Sequence, residues 1–97
     1  SLQQAITSAL ADVRATRIAI LTDDLAGARL SLTQAIQSLN TIKGLIDKEN
    51  DDIVTDLLSK AEQANTDLQT DMASALPATE LLDINLVSLF ETLFPKR

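Results

Sequence analysis

No cysteine, histidine, tryptophan or tyrosine occurs in the 97-residue chain, and there are only two glycines, two prolines and two phenylalanines. Each absence removes a class of function. Without histidine there is no imidazole to serve as a general base near neutral pH. Without cysteine there is no thiolate nucleophile and no disulfide staple. Together the two absences remove the usual nitrogen and sulfur ligands of zinc. So little Gly and Pro excludes collagen-like and low-complexity chains, and 45% hydrophobic against 23% charged residues excludes disorder. No apolar run approaches the roughly 20 residues of a membrane-spanning helix, so no membrane insertion is expected. The chain therefore reads as non-enzymatic, with no catalytic residue, metal site or cofactor. Its length allows one domain, taken as residues 1–97.

What is present is an unevenly charged, acidic chain with a formal net charge of −6. Up to Ile46 the cations Arg14, Arg17, Arg29 and Lys43 nearly balance Asp12, Asp23 and Asp24. From Asp47 to Thr92 only Lys48 and Lys60 offset eleven acids, and Lys96 and Arg97 then form a basic tail. An acidic second half repels phosphate backbones and anionic lipid, which are bound through cations that release counterions. Nucleic acid is not an expected partner. The chain opens at Ser1 and its sole methionine is Met72. The expectation is a processed or excised segment, either a protein freed of a secretory signal or a domain of a longer chain. Lack of cysteine fits an exported bacterial protein, as it also fits many cytoplasmic ones.

The apolar period is helical throughout and nowhere strand-like. Leu2, Ile6, Ala9, Leu10, Val13, Ile20 and Leu21 make a stripe interrupted by Arg17. Leu25, Ala28, Leu32, Ala35, Leu39, Ile42 and Ile46 alternate spacings of three and four, a heptad seam. Asp24 has the chemistry of an N-cap, and the turn at Thr22-Asp23 is too short for anything but antiparallel neighbours. Ala9-Leu10-Ala11 and Ala26-Gly27-Ala28 suggest that this first pair approaches closely. Gly44 leaves two ends open for the second helix, one just before it and one near Asp47. Val54, Leu57, Leu58, Ala61, Ala64, Leu68, Met72 and Ala75 form a third stripe, which Pro77 is expected to stop. A fourth segment places Leu82, Leu86, Leu89, Phe90 and Leu93 on one face and Leu81 and Ile84 on the other. The expected fold is all-α, a compact antiparallel bundle of about four helices with up-down connections, spanning about 2–22, 24–46, 51–76 and 79–94.

Candidate sites follow from residues that break these patterns. Arg17 is expected inside the first stripe, either paired with an acid on a neighbouring helix or contacting an anion in a groove. Asp47, Glu49 and Asp51 have the alternation that starts a calcium loop. Asp52 and Leu58, however, occupy the places of its turn glycine and bidentate glutamate, so the stretch reads as a helix cap and solvated loop. Asp67 and Asp71, near Glu62, read as a solvated helix face rather than an acid–base pair. The fourth helix is more apolar than one packing face requires, which makes Leu81, Ile84, Val87 and Phe94 a candidate self-association or partner surface.

Gln4-Ala5-Ile6, Asp12-Val13 and Thr16-Arg17-Ile18-Ala19-Ile20-Leu21, followed by an acidic turn and Ala28, resemble the YfdX family. Leu32, Gln34-Ala35 and Leu39 are compatible with that family's second helix, and the resemblance covers about residues 4–40. It implies a bacterial helical protein, exported to the periplasm and associated with stress responses, and it singles out Asp12 and Arg17 as the polar members of the shared pattern. The expectation is an exported bundle that binds or stabilises a protein partner and forms a homo-oligomer through its C-terminal helix. The alternatives are an oligomerisation or interaction domain of a larger, even cytoplasmic, protein, and a small-ligand or metal-binding bundle.

Overall fold

The computed structural model describes residues 1–96, so Arg97 of the expected basic tail lies outside the described residues. Four helices follow one another: α1 (Leu2–Leu21), α2 (Leu25–Leu45), α3 (Asp51–Thr70) and α4 (Leu76–Leu93). Among the described residues there is no strand. At about 1.5 Å per residue each helix is roughly 27–32 Å long, in keeping with a longest dimension of 39 Å. α1 packs on α2, α2 on α3, α3 on α4 and α4 back on α1, which closes a four-helix ring. This is the expected antiparallel bundle.

Each connection has a local cause. Ser1 Oγ accepts from the Gln4 amide at 3.2 Å and opens α1. At its other end the Asp24 amide donates to Ala19 O and the Asp23 amide to Ile20 O, the paired bonds that end a helix on a left-handed residue. That residue is Asp23, at φ 58°. Asp24 then caps α2, its Oδ1 accepting from the Gly27 amide at 2.9 Å. Gly27 leaves room for this carboxylate, since a Cβ there would lie 2.3 Å from Asp24 Oδ2. α2 continues through Gly44 to Leu45, which settles the two ends left open at that glycine. A short 3-10 turn, Lys48–Asn50, leads into α3.

The core is a layer of aliphatic residues at the predicted spacings. Ala28, Leu32, Ala35, Leu39 and Ile42 of α2 are fully buried, as are Val54, Ala61 and Ala64 of α3 and Leu82 and Leu86 of α4. Alanines buried on α1 and α2 let these two helices make the most extensive contact in the bundle. Burial of each Leu or Ile side chain contributes about 1.5–3 kcal/mol. Two polar residues are fully buried, and each satisfies itself locally: Thr16 Oγ1 donates to Asp12 O at 2.8 Å and Thr79 Oγ1 to Leu76 O at 2.7 Å.

Three expectations need correction. Arg17 does not occupy the middle of the α1 stripe. The buried walk runs Ile6, Ala9, Val13, Thr16, Ile20, and a threonine able to bond its own helix takes the inner place while Arg17 is exposed. Leu21 of the first stripe and Leu25 of the second are 60% and 37% exposed, because α1 ends and α2 begins there and little lies over them. Finally, Pro77 does not stop α3. α3 ends at Thr70 with Asp71 in extended conformation, a 3-10 turn spans Met72–Ala75, and Pro77 sits in the first turn of α4. A first-turn proline loses no helical hydrogen bond, because amides there have no partner one turn earlier.

Candidate interaction surface

One ion pair bridges the antiparallel helices α1 and α4 at the surface. Arg14 Nε donates to Asp83 Oδ2 at 2.9 Å and Arg14 Nη2 to Asp83 Oδ1 at 3.3 Å, a two-pronged contact between planar groups. The Asp83 carboxylate holds the Arg14 guanidinium above its already high pKa, first through the hydrogen bond and then through charge. The pair is open to solvent and therefore screened by salt. On one side of it lies an apolar cleft of about 280 Å³ lined by Ile6, Leu10, Val87 and Phe90, with Glu91 and Lys96 at its edge. On the other side lies a shallow depression bounded by Arg17, Glu80, Asp83 and Ile84.

Arg17 thus neighbours acids of α4, but no carboxylate of the described residues comes within ion-pair distance of it. Asp12 is elsewhere. The two are five residues apart on α1, about 140° around the helix, and Asp12 lies in the α1–α2 groove with Ser8, Gln34, Gln37 and Ser38. Partial burial raises its pKa above the usual carboxylate value, with no cation to oppose the effect. The structure therefore does not bring Asp12 and Arg17 into one site.

The four apolar candidates on α4 divide into two pairs. Leu81 and Ile84 point away from the core and are 48% and 63% exposed. Val87 is half-buried in the wall of the apolar cleft, and Phe94, which ends α4, is half-buried against the core with its ring centroid 5.3 Å from that of Phe90. Ile84 borders the Arg17–Glu80 depression, across the Arg14–Asp83 pair from the apolar cleft, and Leu81 lines neither.

The other polar candidates are structural. Lys43 Nζ donates to both Asp51 carboxylate oxygens at 3.1 Å and to Thr55 Oγ1 at 2.8 Å, tying α2 to the start of α3. Asn50 Nδ2 donates to Asp47 Oδ1 at 3.0 Å within the calcium-like stretch. Asp67 accepts from Gln63, and Asp71 ends α3 with its amide bonded to Asp67 O. Lys60 pairs with Asp56 one turn away. Among the described residues no group of three or more acids converges as metal ligands would.

Sequence reasoning missed Arg14–Asp83. The signal lay in α1, where Arg14 and Arg17 are one turn apart, but choosing between them needs the α1–α4 register, which no local pattern carries. Compared with protein-family models, with curated proteins and with solved structures, the chain matches none, so the likeness to the YfdX family rests on the residues quoted for it.

Proposed function

We propose that this chain is a non-enzymatic helical scaffold that self-associates through the outer face of α4 and in that form binds or stabilises a protein partner. The observation that supports this most is the pair Leu81 and Ile84, one turn apart and exposed on the solvent side of α4. Single exposed aliphatics are ordinary, but two on adjacent turns of one helix face have the make-up of a contact surface. No helix of the described chain is long and apolar enough to cross a membrane. An exported, stress-related setting is what the YfdX resemblance adds to the reading.

The test is sedimentation over a concentration series, on the wild-type chain and on Ile84→Asp. Association that the substitution abolishes, with helicity retained, supports the reading. A wild-type chain that stays monomeric at every concentration overturns it. The reading frame upstream of Ser1 distinguishes the settings: a secretory signal there favours the exported scaffold, and another folded domain favours an oligomerisation module of a larger protein.

A further inference from the structure

The outer face of α4 reads Pro77, Leu81, Ile84, Ser88, Glu91, with spacings of four, three, four and three. This is the spacing of a seam that faces another helix. Its ends lie at equal distances from Ile84, Pro77 seven residues before and Glu91 seven after, with Leu81 three before and Ser88 four after. Its flanks are marked too. Glu91 lines the α1–α4 cleft, and Arg17 lies on the same α1 flank beside Glu80 and Ile84. Among the described residues, neither Arg17 nor Glu91 has an ion-pair partner within the chain.

Resting on the self-association just proposed, the geometry points to a two-fold, antiparallel α4–α4 pairing with a second copy of this chain, in which Ile84 sits at the dyad and Arg17 pairs with Glu91 of the other copy. A two-fold axis that crosses antiparallel helices at right angles, between them, leaves both α1 helices on the same flank. With Ile84 against its counterpart, Glu91 of one copy lies over Pro77 of the other. Arg17 stands level with Glu80, three residues or about 4.5 Å further along the helix, within reach of a guanidinium. The two Arg17 side chains themselves are about 12 Å apart along the seam, eight residues of rise, so they do not crowd. Leu81 falls beside Ser88 of the other copy, a residue small enough to admit it. A parallel pairing fails on charge, because it stacks Glu91 on Glu91 and sends the two Arg17 to opposite flanks. Like charges facing each other destabilise a helix pair and opposite ones stabilise it.

The absence of native cysteine makes the register directly readable. Helices packed about 8–10 Å apart bring seam residues at a dyad within disulfide reach. In the full chain, Ile84→Cys oxidised with diamide is expected to give a disulfide-linked dimer readily. Ser88→Cys is expected not to, since its counterpart lies about 12 Å away along the seam. Arg17→Glu or Glu91→Arg alone should weaken association by about tenfold, as two symmetric pairs are lost together, and the double exchange should restore it. Four outcomes are decisive. Preferential cross-linking at Ile84 with rescue by the exchange supports the pairing. Association without cross-linking at Ile84, or without rescue, overturns this register while self-association stands. A monomeric wild-type chain overturns both.

Discussion

Asp23 is the one non-glycine residue with a positive φ among the described residues, and the turn between α1 and α2 depends on it. An L-residue meets steric cost in the left-handed region, which Asp tolerates better than most and glycine avoids. Asp23→Gly is therefore expected to raise stability by less than the roughly 1–2 kcal/mol left-handed penalty, since glycine also loses more backbone entropy on folding, read from urea unfolding at constant m value. Asp12 makes a prediction with pH in it. Its carboxyl is raised by burial, so above that raised pKa the charged form costs the folded state stability, and the cost is relieved as pH falls through it. Asp12→Asn should stabilise modestly at pH 7, with the gain vanishing once pH falls below the ordinary carboxylate pKa. A gain that persists in acid would assign the effect to packing instead. Neither residue was expected to matter in these ways from sequence, because a backbone angle and a degree of burial belong to the folded chain.

At the scale of the helix, α4 has two apolar faces with different consequences. Leu86 is fully buried, and Leu86→Ala should cost about 2–5 kcal/mol by leaving a cavity among aliphatic side chains. Ile84 is exposed, and Ile84→Asp should change the stability of a lone copy by no more than about 0.5 kcal/mol. Thermal unfolding of dilute samples checks both. The same contrast explains what was legible beforehand. The seams of α2 and α3 were readable because every third or fourth residue is aliphatic, and a helix buries such a stripe whatever its neighbours. The two faces of α4 were also separable by spacing alone. The place of Arg17 was not, since the stripe put it among the apolar residues of α1, one position from the Thr16 that the fold buries instead. What decided between them is that a threonine hydroxyl can bond to the carbonyl four residues back, whereas a guanidinium needs acceptors from outside. Nor was the end of α3, because a proline is compatible both with stopping one helix and with starting the next.

For the molecule as a whole, four helices bury one continuous aliphatic core and leave aliphatic side chains outside it on several helices, among them Ile18 and Leu21 of α1 and Leu81 and Ile84 of α4. The missing residue types fit this division of labour: the chain carries few groups suited to chemistry and many suited to packing. The opposing charges along the α1–α4 side, Arg14 bound to Asp83 and Arg17 beside Glu80, give that side a polarity that a second copy can match. Self-association through α4 is thus the claim on which the functional account turns. Sedimentation equilibrium of the wild-type chain beside Ile84→Asp tests it most directly. The account predicts a concentration-dependent dimer for the first and a folded monomer for the second, whereas a monomeric wild type, or a dimer indifferent to Ile84→Asp, would contradict it.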